Sequence, residues 1–328
     1  MKQSKRAGIK DVAELAGVSN MTVSRVLNGT VKVSEEKRKA VLTAVEKLDY
    51  KPDLAARRLG GNKSYMLGLL YQDLDISYVS KFLLNALKSS RDQGFHLIPN
   101  EIDGDIEKSL SSVVDLIEIT RIDGLILLPP VSDNQQIIDV LKKHQTPFVR
   151  ITPDSHFDLS PYICIDDYMV GYKMTEHLIN LGHKKVAHIM GNTKQGTSHL
   201  RCQGFVDALH TNHLSAPEEF IVEGTYTFDS GVEAAKKLLN LANRPSAIFA
   251  SNDEMAAAVI LVANNLGIAI PEQLSVAGVD DAQLAVTLSP NLTTIKQPIA
   301  QMAELAVKLL AKGADNLKMK ERISTAIS

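Results

Sequence analysis

The stretch Ile9-Lys-Asp-Val-Ala-Glu-Leu-Ala-Gly-Val-Ser-Asn-Met-Thr-Val-Ser-Arg-Val-Leu-Asn28 opens the chain with two short helical patterns split by a glycine. Residues 10–16 read as a first helix, with Val12, Ala13 and Ala16 on one face. Gly17-Val18 breaks it. Ser19 is placed to cap a second helix over 20–27, its hydroxyl accepting from the opening amides. Val23, Val26 and Leu27 recur there at helical spacing, and Asn28-Gly29 ends the run. Val33-Ser34 precede a third helix over 35–48. It has acids in its first turn and Lys47 in its last, as the macrodipole favours. Two short helices joined at a glycine fit a helix-turn-helix. Ala13 is small where the helices touch, Gly17 can take the positive-φ turn, and Val23 fills the space between them. The exposed face of the second helix then presents Asn20, Met21, Thr22 and Arg25, which can reach base edges or phosphates.

Charge and length bound the rest. Residues 1–62 hold 13 Lys+Arg against 7 Asp+Glu, a head of +6 on a body of −8 within a net charge of −2. That asymmetry suits a nucleic-acid contact at one end, or a solvated helical cap. The 328 residues allow two or three domains. Two cysteines exclude a disulfide framework and a Cys-based zinc finger, and 5% aromatics with no Trp argue against a stacking platform for single strands. No apolar run is long enough to span a membrane, and the basic N-terminus is not followed by a secretory apolar segment. The expectation is a cytoplasmic protein with reduced thiols.

Next comes Lys51-Pro-Asp-Leu-Ala-Ala-Arg-Arg-Leu-Gly-Gly61. Residues 54–59 could form one and a half turns, too short to be stable alone. The segment is either a flexible linker or a helix that folds on DNA, with Arg57 and Arg58 near phosphates and Leu59 as an apolar wedge.

From residue 64 onward strand and helix alternate. Strands are expected at 65–71, 95–100, 124–128, 148–151, 162–165, 185–190, 220–223, 247–250, 274–278 and 293–296. Helices are expected at 79–93, 106–119, 135–144, 169–181, 199–210, 230–241, 253–266 and 299–312. Continuous apolar runs such as Leu125-Ile-Leu-Leu128 suit strands buried on both faces. This is a parallel α/β architecture, and ten strands exceed one compact sheet, so two Rossmann-like lobes with a cleft between them are expected. Ligands in such sheets sit off the carboxyl ends of strands. The polar residues there are Asp73, Asp75, Asp166, Asp167, Asn192, Asn252, Asp253, Asp280 and Asp281, each either a site residue or a helix cap or turn former.

Enzyme signatures fail. Gly191-Asn-Thr-Lys-Gln-Gly196 is followed by Thr197-Ser198 rather than Lys-Ser/Thr, so it is no P-loop. There is no Gly-x-Gly-x-x-Gly, His-Glu-x-x-His or Gly-x-Ser-x-Gly motif. His183 and His188 lack metal-site spacing. Cys164 reads as a small buried hydrophobe, and nothing places a base beside Cys202.

The opening stretch resembles the DNA-binding head of the LacI/GalR family of bacterial repressors. The resemblance continues through Val33-Ser34, Asp49-Tyr50-Lys-Pro52, Glu176-His-Leu178, Leu181-Gly-His183, Arg201-x-x-Gly-Phe205, Ser251-Asn-Asp253, Gly278-Val-Asp280 and Leu292-Thr-Thr-Ile-Lys-Gln-Pro298. It implies a helix-turn-helix domain over 1–51, a hinge helix over 52–62, and a periplasmic-binding-protein-like core over 63–328. In that core lobe 1 is expected at about 63–165 and 293–328, and lobe 2 at about 166–292. It also implies a dimer on a palindromic double-stranded operator, a small molecule in the cleft that changes operator affinity, and no cofactor or metal. By position, Asn20, Met21 and Arg25 look like base readers, and Thr22 and Ser24 like phosphate holders. Ser19 and Asn28 fall within the same DNA-facing stretch. Ala56 would touch the minor groove and Leu59 would wedge into the central base step. Arg201, Asn252 and Asp280 look like the polar effector contacts, joined by Asp166, with Tyr78 and Tyr226 as ligand-facing aromatics.

Two departures qualify the resemblance. Asp73-Leu-Asp-Ile-Ser-Tyr78 lacks the Asn-Pro-Phe-Phe that often follows the first core strand, so that wall of the cleft is expected to differ. The chain ends at Ser328 without the leucine heptads of the tetrameric member, which favours a dimer. The expected function is a repressor that senses a saccharide. The alternatives are a cytoplasmic sugar-binding protein without a DNA role, and an enzyme on an α/β scaffold.

Overall fold

The structure, a computed structural model, describes residues 7–27, 33–50, 63–72, 76–313 and 320–327. The chain divides into two compact units, Met1–Tyr65 and Met66–Ser328.

The first unit contains α1 (Ile9–Ala16), α2 (Asn20–Leu27) and α3 (Glu35–Lys47). They close around Val12, Ala13, Val23, Val26, Val41, Ala44 and Tyr50. Gly17 has φ +66, and the Val18 amide donates back to the Ala13 carbonyl at 3.0 Å. That six-to-one bond ends α1 and needs a left-handed residue at position 17. Ser19 caps α2 as expected, its Oγ accepting from the Thr22 amide at 3.2 Å. Asn28, the hinge segment 52–62 with Ala56 and Leu59, and the candidates Asp73 and Asp75 lie outside the described residues.

The second unit has two six-stranded sheets. The first comprises β1 (Met66–Tyr71), β2 (His96–Glu101), β3 (Gly124–Leu127), β4 (Phe148–Ile151), β5 (Tyr162–Ile165) and β11 (Lys320–Ile323). Their order is β11-β5-β4-β3-β1-β2, all parallel. The second comprises β6 (Val186–Ile189), β7 (Ile221–Val222), β8 (Ala247–Ala250), β9 (Ser275–Val279), β10 (Thr293–Lys296) and β12 (Ala326–Ile327). Their order is β12-β10-β9-β8-β6-β7, parallel except for β12 against β10. The two sheets share one winding, and β3, β6 and β8 are buried at every position, as apolar runs between helical layers require.

Helices α4 (Ile76–Asp92), α5 (Ile106–Glu118), α6 (Gln135–Lys143) and α12 (Ile299–Lys312) serve the first sheet. Helices α7 (Asp167–Asn180), α8 (Gly196–Thr211), α9 (Phe228–Leu239), α10 (Asp253–Asn265) and α11 (Gln283–Thr287) serve the second. Each lobe has its own apolar core.

The lobe boundary differs from expectation. The resemblance places residues 293–296 in lobe 1, but β10 pairs with β9 from Thr293↔Ala277 to Ile295↔Val279 and so belongs to the second sheet. The crossing falls later, at Gln297-Pro298, where proline has no amide to continue a ladder. The chain then returns once more, because β11 edges the first sheet and β12 the second. Neither strand was expected: Lys-Glu-Arg-Ile and Ala-Ile are short edge strands without an apolar run.

Candidate functional site

In the first unit, Asn20, Met21 and Arg25 are exposed on the face of α2 opposite the buried Val23 and Val26, with Met21 64% exposed. Thr22 and Ser24 flank them, half-buried. The Ser19 and Thr22 hydroxyls lie 3.0 Å apart, which fixes the helix start against the turn. The α2 surface thus offers an amide, a thioether and a guanidinium on one rigid helix.

In the second unit, a cavity opens at the carboxyl ends of both sheets. Five of the six expected effector residues line it: Tyr78, Arg201, Tyr226, Asn252 and Asp280. The sixth, Asp166, does not. It is the N-cap of α7, accepting from the Met169 amide at 3.1 Å, and it pairs with Arg322 at 3.0 Å. The helix-cap alternative describes Asp166, because a carboxylate one residue ahead of a helix is captured by the helix amides.

Arg201 is held by a close crossing of α7 and α8. A Cβ at Gly171 would stand 2.0 Å from the Arg201 carbonyl oxygen, and one at Gly204 2.1 Å from that of Tyr168. The two backbones therefore touch, which brings Arg201 across to Asp167. Its Nε and Nη2 each lie 2.8 Å from Asp167 Oδ1, and Nη1 donates to the Ser251 carbonyl. Both side chains are buried. Burial pulls the Arg201 pKa down, and Asp167, with Tyr226 and Asp280, more than offsets this, so the pKa lies above its ordinary value and the guanidinium stays charged.

Asn252 does two tasks. Its Oδ1 caps α10 through the Met255 amide at 3.0 Å, and its Nδ2 donates to the Tyr226 carbonyl at 2.8 Å. Tyr226 needs that support, since its φ of +67 is rare for a residue with a Cβ. Its phenol reaches Thr197 Oγ1 at 3.3 Å, and burial pushes its pKa up. Asp280 and Asp281 also have positive φ, at 122 and 54. Their loop is fixed from behind by the buried Asp253, which accepts from Thr294 Oγ1 at 2.6 Å and from the Ala282 amide at 2.8 Å. Asp280 Oδ1 accepts from Gln297 Nε2 at 2.6 Å. Lys81, on α4, donates to the carbonyls of Asp280 at 3.4 Å and Asp281 at 2.9 Å. Backbone held in these rare conformations fixes where the Tyr226 and Asp280 side chains stand in the cavity wall.

Sequence reasoning missed Gln72, Thr152, Gln195, Thr197 and Gln297 in the lining. Gln72, Thr152 and Gln297 are each the first residue after a strand, so position alone would have found them. Attention to Asp and Asn passed them over. Asn192, Asp253 and Asp281 stand beside the cavity lining rather than in it. Asn192 makes a turn to the Lys194 amide and Asp281 pairs with Lys296 at 3.0 Å. Among the described residues no group of His, Cys, Asp or Glu could hold a metal ion, and no helix is long and apolar enough to cross a membrane.

Comparison with known proteins assigns both units. Residues 8–53 match bacterial regulatory proteins of the lacI family, and residues 175–326 match the periplasmic binding protein-like domain. The HTH-type transcriptional repressor PurR of Klebsiella pneumoniae is 32% identical over 305 residues, 93% of this chain and 89% of that protein. The lac repressor dimer bound to operator and the anti-inducer ONPF is similar with a TM-score of 0.76 at 26% identity, covering 98% of each chain. The transcriptional regulator CelR in complex with cellobiose is similar with a TM-score of 0.74 at 26% identity, again over 98% of each chain. Head and core together define a helix-turn-helix transcription regulator with a periplasmic-binding-protein-like core, not an enzyme. The chain belongs to the LacI family.

Proposed function

We propose that the chain is a cytoplasmic, dimeric repressor that reads a palindromic operator through α2 and responds to a small saccharide in the interlobe cavity. One observation carries the ligand reading. Arg201, Asn252 and Asp280 converge with glutamine and threonine side chains on a space that also has two tyrosine rings on its walls. Converging donors and acceptors suit hydroxyls, and an aromatic face suits a pyranose ring. The cellobiose complex of CelR, on the same fold, supports that class. The test is selection of a DNA site from a random pool, followed by titration of the complex with mono- and disaccharides. A saccharide that shifts operator affinity supports the proposal, and no response to any sugar overturns it.

Two results are expected of this reading. Arg25→Ala should weaken the selected site by about 1–3 kcal/mol and relax preference at one base pair, because a bidentate contact to guanine is worth that much. Binding assays across single-base variants check it. Equal loss on every sequence would make Arg25 a phosphate contact. Asp280→Asn should lower effector affinity by about 1.5–3 kcal/mol, the worth of a hydrogen bond to a charged group. Effector-free operator binding should hold, since head and core are separate units. Calorimetry and operator titration on one preparation separate the two effects.

A further inference from the structure

The cavity has two elements that attract anions, and the chain fills both with its own carboxylates. The first is Arg201, neutralised by Asp167. The second is the N-terminus of α8, a 16-residue helix whose opening residues adjoin Gln195 and Thr197 of the lining. Amides there present roughly half a positive charge and are a ready site for phosphate or carboxylate. In this protein Asp154 takes that place. Its carboxylate lies against the Gly196–Thr197 backbone, where burial raises its pKa and the two amides partly offset that rise. The approach is close enough that a Cβ on Gly196 would stand 2.9 Å from the carboxylate carbon.

Asp154 belongs to the other lobe, three residues beyond β4, and its loop is built to deliver it. The Asp133 carboxylate accepts from the Asp154 amide at 2.9 Å and the Ser155 amide at 3.2 Å. Arg150, fully buried in β4, pairs with Asp133 at 3.6 Å. It also donates to Ser160 Oγ at 3.1 Å, to the Ser155 carbonyl at 3.0 Å and to the His156 carbonyl. Together these bonds tie residues 155–160 to β4. Asp133 is thus matched by Arg150, and Asp167 by Arg201, whereas Asp154 faces the start of α8.

We propose that Asp154 determines ligand specificity: it occupies the amide site at the start of α8, so the cavity accepts uncharged polyhydroxylated ligands and rejects phosphorylated or carboxylated ones. The choice of a polyol rests on the saccharide reading above, whereas the exclusion of anions does not. A ligand phosphate entering this site would meet a carboxylate at the start of α8. It would pay like-charge repulsion in a partly desolvated space.

The experiment is calorimetric titration of the full chain with glucose, cellobiose, their 6-phosphates and inorganic phosphate, repeated on Asp154→Asn and Asp154→Ser. Both variants keep a capping side chain without the charge. Thermal unfolding identifies whichever variant is folded. The wild type should bind each neutral sugar at least about 100-fold tighter than its phosphate ester and show no saturable phosphate binding. A folded variant should gain saturable phosphate binding and narrow the discrimination by about tenfold or more. Wild-type preference for an ester, or phosphate binding equal in wild type and variant, overturns the proposal. If no sugar binds the wild type, the saccharide reading fails for this panel. The phosphate titrations still decide the role of Asp154, since a variant that gains nothing removes it.

Discussion

Asp167→Leu should destabilise the core by about 3–5 kcal/mol, because it strands a buried guanidinium without its counter-charge. Arg201 sits at 5% exposure with two of its nitrogens on Asp167. Arginine cannot relieve the loss by giving up its proton. The converse change should cost less. Arg201→Met leaves Asp167 buried, but a carboxyl can neutralise itself by binding a proton, and its penalty should shrink further as pH falls. The double variant Asp167→Leu/Arg201→Met should recover most of the stability, since apolar side chains of similar volume replace a buried pair at little net cost. It should nonetheless fail to bind effector. Urea unfolding of the four proteins at pH 7 and pH 5 measures the asymmetry, and calorimetry on the double variant isolates the ligand role. Equal losses for the two single variants would mean that water reaches the pair.

The asymmetry also explains what could be read from the sequence. The head was legible because every signal there is local. Gly17 turns, Ser19 caps, and Val12, Val23 and Val26 repeat at helical spacing, so the exposed face of α2 followed by subtraction. The alternation of the core was legible for the same reason, and so was the rule that sites lie beyond strand ends. Five effector residues came from that rule and the family resemblance combined. Nonlocal partnerships were not legible. Nothing near Asp166 or Asp167 says that the first caps its helix while the second reaches Arg201, 34 positions away. Asp154 was passed over because it lies three residues past its strand, and its partner amides belong to the other lobe. Residues 293–296 were not legible because Thr-Thr-Ile-Lys carries one apolar side chain, so nothing in it selects one sheet over the other. The terminal strands failed because edge strands bury too little to leave a pattern.

His188 should make the core acid-labile between about pH 6.5 and pH 4. The ring is fully buried on β6, stacked between Phe205 and Phe249 at centroid distances of 5.1 and 4.7 Å. Its Nδ1 lies 2.9 Å from the Phe249 carbonyl oxygen, which can only accept, so Nδ1 carries the proton. Nε2 faces the Ser251 hydroxyl at 3.4 Å as the acceptor of a neutral ring. Burial, with Arg201 nearby adding repulsion, lowers its pKa to about 4. Because the folded value is depressed, the neutral ring favours the folded state above the unfolded value near 6.5. That stability is lost as pH falls toward 4, where the unfolded chain binds a proton that the folded chain refuses. The loss amounts to about 3 kcal/mol across the window at 1.36 kcal/mol per pKa unit. His188→Leu should start lower at pH 7, by roughly 0.5–1.5 kcal/mol for the lost hydrogen bond to the Phe249 carbonyl. Its stability should then decline less steeply, so the two curves converge toward pH 4. Chemical unfolding at half-unit steps from pH 7 to pH 4 gives both curves. Parallel curves would show that His188 takes up its proton within the fold at its ordinary pKa. Convergence would locate a pH-sensitive element directly behind the Ser251 carbonyl that holds Arg201 in the cavity wall.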